Sequence, residues 1–439
     1  MKPPRIPSHS TNRSKRALTQ VGGPCEIWLD EVGLGAALES ALRVHPDETA
    51  TPRHVHGFHS YPARMHPDTA ARLVTVLSQS GEVVLDPFVG SGTVLVEARV
   101  QGRIAYEIDA NPLAVALSSL KLRGLAPDEG EHLIGVANAV AELADERRLA
   151  KAGPTRPYGR TEREWFPPHV LLELDGLWKG ISELCPAAHR PALELVVSSM
   201  LTKVSVRRSD TSAQTEARRL ASGFTIRFFV KKTEELVRRL QAYSASLPER
   251  ELPWGVRLGD ARDLPMKEGR AHAIITSPPY PGVYDYVEHH RLRLDWLKLD
   301  AKHLERHEIG AHRDFAQKSA TAANEQWAEQ MGDCLDEMRR VLAPSGKIAL
   351  LIADSVVASR AFYADRALQD MAPRHGLKIV AGVSQERSHY HAPTRNAFRA
   401  APRREHLIVF QAVHSNVAIP PSKGRGVVRS PSGRGGRGR

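Results

Sequence analysis

Thr276-Ser277-Pro278-Pro279-Tyr280 directly follows an apolar strand pattern, Ala273 to Thr276. Two prolines at that position could simply end the strand. The same residues also answer a chemical problem. The exocyclic amine of cytosine or adenine is a poor nucleophile, because its lone pair is delocalised into the ring. Acceptors on that amine, here the Ser277 hydroxyl and the Pro278 carbonyl, would favour a pyramidal nitrogen as attack begins. Pro278 and Pro279 fix the loop, and Tyr280 offers a ring on which an extruded base can stack.

A second cluster is Asp86-Pro87-Phe88-Val89-Gly90-Ser91-Gly92-Thr93. Glycines between a strand and a helix let the backbone approach a ligand closely, and the helix that follows offers free N–H groups. An acid about 20 residues further on can hydrogen-bond a ribose hydroxyl. Asp109 stands nineteen residues after Gly90, with Glu107 as the nearby substitute. A nicotinamide or flavin dinucleotide site is the competing reading. The turn reads Gly-Ser-Gly rather than GxGxxG, and Asp-Pro-Phe precedes it.

The elements that would position these residues can be read from apolar spacing. Glu82-Val-Val-Leu-Asp-Pro-Phe is a short strand, and a helix runs through Val94, Ala98 and Val100. A strand from Arg103 to Ile108 and a helix with Leu113, Ala116, Leu117 and Leu120 complete half of a doubly wound α/β sheet. From Pro127 to Arg250 the spacing turns helical, as at Leu171, Leu174, Leu177 and Ile181, which predicts a helical insertion. Strand patterns return at Gly255–Leu258, Ala273–Thr276, Lys347–Ala353, Lys378–Val383 and His406–Phe410. Seven strands are expected in all. The expected division is a basic arm and lead-in over 1–50, a cofactor half over 51–126 and the insertion over 127–250. A catalytic half over 251–414 and a disordered basic tail over 415–439 complete it.

The two motifs together resemble the DNA amino-methyltransferases that make N4-methylcytosine or N6-methyladenine. The resemblance implies a seven-stranded Rossmann-like methyltransferase sheet and S-adenosylmethionine as cofactor. It implies cofactor contacts from Phe58, Asp86, Pro87, Phe88, Gly90, Gly92, Thr93, Glu107, Asp109 and Asp260. Ser277, Pro278, Pro279 and Tyr280 would form the target-amine pocket, with the base flipped out of double-stranded DNA. Ser-Pro-Pro-Tyr is usual among cytosine N4 enzymes, whereas a glycine motif placed first is commoner among adenine enzymes. Cytosine N4 is favoured. An RNA base amino-methyltransferase and a catalytically silent nucleic-acid-binding protein are the alternatives.

Charge bears on the partner. The 439 residues carry a net charge of +11, of which +5 lies in the first eighteen residues and +6 after Val413. Mobile basic arms suit phosphate contact, and a solubilising tail is the plainer reading. Arg207 and Arg208, in a Lys/Arg-rich part of the insertion beside Ser and Thr, are candidate nucleic-acid contacts. Cys25, Cys185 and Cys334 form no CxxC pair, which argues against a disulfide framework or a zinc site. His54, His56, His59 and His66 have irregular spacing and read as surface or loop histidines, and no metal is required. His289 and His290 either line the base pocket or cap a helix. No apolar run of membrane length occurs and the N-terminus lacks a signal-peptide core, so a cytoplasmic protein is expected. A restriction nuclease is a candidate partner.

Overall fold

The computed structural model describes residues 22–44, 53–210, 214–216, 218–387 and 392–413. Both basic tails lie outside the described residues. The strands are β1 (Gly22–Asp30), β2 (Val83–Asp86), β3 (Ile104–Asp109), β4 (Trp254–Leu258) and β5 (Ala271–Thr276). They continue with β6 (Leu342–Ala353), β7 (Ser355–Val357), β8 (Arg360–Phe362), β9 (Leu377–Arg387) and β10 (Arg404–Ala412). The main sheet runs β1-β9-β10-β6-β5-β2-β3-β4, and β7 and β8 form a small separate hairpin.

From β4 through β3, β2 and β5 to β6 every neighbour is parallel, while β10, β9 and β1 are antiparallel. All four β2 residues are buried. This is why the segment reads as an unbroken Val-Val-Leu run: a central parallel strand is covered on both faces. From β2 the chain steps to β3 and β4 on one side, then restarts with β5 on the other. The β2/β5 junction is therefore the switch point, where a crevice opens at the carboxyl ends of the strands. Asp86 ends β2 and Thr276 ends β5, so the fold delivers both motifs to one place.

The sheet has eight strands rather than the expected seven. The added strand, β1, lies within the stretch read as an N-terminal arm. Its Gly-Gly-Pro start disguises it, yet Ile27 pairs with Val383 on β9. Gly382 leaves room for the Trp28 indole, which any side chain there would strike.

Between β3 and β4 the chain forms helices Pro112–Arg123, Pro127–Leu149, Arg160–Trp165, Pro168–Leu184, Arg190–Val204 and Phe224–Ser244. Those from Pro127 onward are not a detached module. Leu133, Val140, Leu174, Val197 and Leu236 share one apolar core with Leu117 and with Leu294 of helix Tyr286–Leu297. Three-fold to four-fold spacing of these residues buries one stripe of each helix. No helix of the described residues is long and apolar enough to cross a membrane.

Candidate active site

The glycine turn is wired from below. Phe88 N–H donates to Asp86 Oδ1 (3.0 Å), Gly92 N–H to the Val89 carbonyl (2.9 Å), and Lys121 Nζ to the Ser91 carbonyl (2.5 Å). Gly92 has φ 76° and caps helix Thr93–Val100; a Cβ there would lie 2.8 Å from the Ser118 hydroxyl. Only glycine meets both demands. No side chain caps that helix, so its first-turn N–H groups keep no side-chain acceptor.

Asp109 sits at the end of β3 and accepts from Gly90 N–H and Asn111 N–H, both at 2.8 Å. Each oxygen keeps a second lone pair for a hydroxyl. Burial pushes its carboxyl up to about 6, against the pull of those two N–H groups. Burial likewise lifts Asp86 to about 7 and Glu107 well above the carboxylate range, with Asp86 and Asp109 adding to the latter. Glu107 lines no described cavity, and neither of its oxygens has a hydrogen-bond partner among the described residues. Lys121, buried beside these acids, is pushed down to about 7 by burial and then by Arg64.

Three adjoining cavities, of about 210, 80 and 30 Å³, share Tyr61, Ala63 and Ser277 as common wall. The 80 Å³ cavity is bounded by Pro87, Phe88, Gly90, Asp109, Asp260 and Pro279. The 30 Å³ cavity lies against Asp86, Ser91 and Thr93. The 210 Å³ cavity adds Tyr280, Tyr284 and Glu405. Asp260 chelates Arg262 (2.8 Å) and meets His307 Nδ1 (2.8 Å). Burial would raise its carboxyl, but these partners hold it below the usual range.

The loop after β5 is held rigidly. Thr276 Oγ1 donates to Asp86 Oδ1 (2.5 Å), and Trp327 Nε1 donates to the Pro279 carbonyl (3.1 Å). Ser355 Oγ donates to the Pro281 carbonyl (2.9 Å), and Ser277 Oγ lies 3.3 Å from Tyr280 Oη. Pro278 is buried and lines none of the cavities. Burial, with Glu405 nearby, raises the Tyr280 phenol, so it stays protonated.

Phe58 does not reach the cavities. It is 2% exposed and packs in the core, with Lys232 Nζ 5.2 Å from its ring. The aromatic at the glycine turn is Tyr61, three residues on, which sequence reasoning missed. Its ring would lie 3.3 Å from any Cβ at Gly90, and its hydroxyl accepts from Asn111 Nδ2 (3.0 Å). The alternation of aromatic and small residues in Phe58-His-Ser-Tyr-Pro-Ala63 was the available signal.

The histidines are not on the surface: His56, His59 and His66 are each 2–3% exposed. His56 Nε2 meets Glu97 (2.7 Å), and burial pushes the ring down to about 4. His66 caps helix Pro67–Leu77 by accepting from Asp68 N–H. His290 contacts Asn111 Nδ2 (2.9 Å) behind Tyr61 rather than lining a cavity. Asp354, Asp365 and His406 come within 4.8 Å of one another. Asp354 already accepts from Ala364 N–H and Arg404 N–H and meets His406, so the three groups tie β6, β10 and the helix Ala364–Met371 together.

Arg207 stacks 3.9 Å over Trp165, and Arg208 donates to Gln214. A single antiparallel bridge joins Arg207 to Thr215. Behind it, Asp210 takes both oxygens to Arg293 Nη2 (2.9 and 3.0 Å). Arg293 is 1% exposed on helix Tyr286–Leu297, just past the Pro-Pro-Tyr loop, and also binds Thr202 and the Ser198 carbonyl.

A family profile described as DNA methylase, of the N6/N4 type, matches residues 9–119, which carry the glycine turn and Asp109. Over that stretch the chain is similar to the DNA methylases. Type II methyltransferase M.MvaI of Kocuria varians is 36% identical over 84 residues, 18% of each chain. Type II methyltransferase M.MjaII of Methanocaldococcus jannaschii is 28% identical over 96 residues, 22% of this chain and 18% of its own. The matched stretch is thus about a fifth of either relative's length. Among solved structures, an rRNA methyltransferase, aviRa of Streptomyces viridochromogenes, is similar at a TM-score of 0.32 and 10% identity. That likeness covers 83% of this chain and 93% of the other. A TehB-like SAM-dependent methyltransferase of Corynebacterium glutamicum gives 0.28 and 9%, over 78% and 86%.

For a DNA methylase relative the cofactor is S-adenosylmethionine, and the residues fit it. Asp109 and Asp260 suit ribose and adenine polar groups, Phe88 gives an apolar wall, and the Gly90–Gly92 turn admits close backbone approach.

Proposed function

We propose that this protein transfers a methyl group from S-adenosylmethionine to the exocyclic amino group of a DNA base. The observation that carries this reading is the position of Ser277. It is wall to the cavities at the glycine turn and, at once, to the larger cavity beside Tyr280. An amine bound on Ser277 therefore abuts whatever the glycine turn holds.

The bound cofactor would supply a sulfonium-activated methyl group. The chain's own contribution is alignment and exclusion of water. Ser277 Oγ accepts from the target amine, Tyr280 stacks on the base, and Pro278, buried outside the cavities, stiffens the loop. The Trp327, Ser355 and Thr276 bonds hold that loop in one shape, so little ordering remains to be done on binding. Enzymes of this chemistry extrude the base, and the 210 Å³ cavity is the site we assign to it.

Cytosine N4 is the favoured target, on the Ser-Pro-Pro-Tyr form of the loop. Arg207 and Arg208 are assigned to DNA contact. A nuclease partner has support only from the Type II names of the two relatives. The deciding test offers purified protein labelled S-adenosylmethionine with unmethylated DNA and, separately, total RNA, and identifies modified nucleosides by mass spectrometry. N4-methylcytosine in DNA is expected. N6-methyladenine would correct the base, label confined to RNA would replace the substrate, and no label would overturn the reading.

A further inference from the structure

Arg64 is a cation in search of an anion. Its Nη1 donates to the His56 carbonyl (2.6 Å) and, at 3.5 Å, to the His59 carbonyl. Nε and Nη2 have no partner among the described residues, and no carboxylate of those residues approaches the guanidinium. Burial alone lowers its pKa, with no acid to offset the loss of water. Arg64 also helps push Lys121 down. A half-buried guanidinium with open N–H donors and no ion-pair partner among the described residues suits an anionic ligand.

The side chain lines the 30 Å³ cavity together with Asp86, Gly90, Ser91 and Thr93, and the 210 Å³ cavity, which Glu405 also borders, beyond it; neither acid forms an ion pair with it. Among the described residues Arg64 is the one Arg or Lys that lines the three cavities. Asp109 and Asp260 border the 80 Å³ cavity, where a ribose and adenine belong, while Arg64 stands on the opposite side of Gly90. A nucleoside sulfonium laid across the turn, ribose on Asp109, brings its amino-acid end to Arg64.

Resting on the cofactor reading above, we propose that Arg64 is the counter-ion of the α-carboxylate of S-adenosylmethionine, a positioning residue that fixes where the methyl group points. The ring of Tyr61 and the backbone of Ala63 then form the partition between carboxylate and target amine.

The experiment is calorimetric titration of the full chain with S-adenosylmethionine and with its decarboxylated form, which keeps the sulfonium and the amine. Wild type should prefer the carboxylate form by about ten- to a hundredfold, the range for a hydrogen bond to a charged group. Arg64→Gln should lose that preference, binding both forms as wild type binds the decarboxylated one. Arg64→Lys should recover part of it. Equal affinity of wild type for both forms overturns the proposal without any variant. Equal loss for both forms in Arg64→Gln overturns it too, since that marks a structural role. Failure of wild type to bind S-adenosylmethionine at all would sink the cofactor reading itself, which is a different result.

Discussion

The Thr276 hydroxyl donates to Asp86 Oδ1 across 2.5 Å, joining residues 190 positions apart in sequence. Asp86 opens the glycine motif and Thr276 opens the Pro-Pro-Tyr loop, so this one bond sets the spacing between the two halves of the crevice. Both side chains are buried.

Thr276→Val keeps the shape and deletes the donor. The Asp86 oxygen is left with the Phe88 N–H alone, and the expected loss is about 1–3 kcal/mol of stability. Urea unfolding followed by circular dichroism measures it. An unchanged midpoint would mean that the bond contributes nothing.

Asp86 also predicts a pH dependence. Its carboxyl is raised to about 7 in the fold from an ordinary value near 4, so the folded state holds the proton more tightly than the unfolded chain. Its stabilising contribution is full at acid pH and is lost as pH rises from about 4 to about 7. Asp86→Asn does not titrate. Its stability relative to wild type should climb between pH 5 and pH 7, by up to about 1.4 kcal/mol per pH unit. Parallel curves for the two proteins would refute the shift.

Phe58 and Tyr61 should separate cleanly. Phe58→Ala empties a core site and should cost about 3–5 kcal/mol of stability. Tyr61→Ala should leave folding largely intact and weaken S-adenosylmethionine binding roughly tenfold, the order of an aromatic contact. Titration and thermal melts of both variants decide, and the reversed pattern would restore Phe58 to the cofactor.

Tyr280→Ala should reduce methyl transfer to DNA by about ten- to a hundredfold while cofactor affinity holds, since base stacking is worth about 1–3 kcal/mol. Steady-state kinetics on a duplex substrate, beside calorimetry with the cofactor, gives both numbers. Full activity would remove the stacking role.

Arg207→Ala with Arg208→Ala should weaken DNA binding across sequences and flatten its salt dependence by about one to two units of slope. Cofactor affinity should not move. Fluorescence anisotropy at several salt concentrations reads this out, and an unaltered slope would discard these arginines as phosphate contacts.

Much of the crevice is legible in the amino-acid sequence. The Val83–Asp86 run, the glycine turn and the strand leading to Ser277 are local signals, carried by apolar runs and turn residues. The helical insertion announces itself by spacing. Depth is what spacing does not carry. His56, His59 and His66 look like loop residues, and they lie on loops, but those loops are roofed by helices Arg190–Val204 and Phe224–Ser244. Phe58 and Tyr61 are both aromatic, and only the turn between them decides which faces the crevice. β1 is hidden by Gly-Gly-Pro at its start and by an edge position that exposes Ile27. Arg64 reads as one more surface cation until its neighbours are known.

The grip of Arg293 on Asp210 sets a rule for anyone who would re-engineer this chain. The stretch around Arg207 and Arg208 is an inviting place to graft a foreign loop. Any replacement must bring its own carboxylate to the same spot. Without one it leaves a guanidinium stranded in the interior, a defect of about 3–5 kcal/mol. The graft would then fail at the root of the Pro-Pro-Tyr loop, well away from the grafted surface.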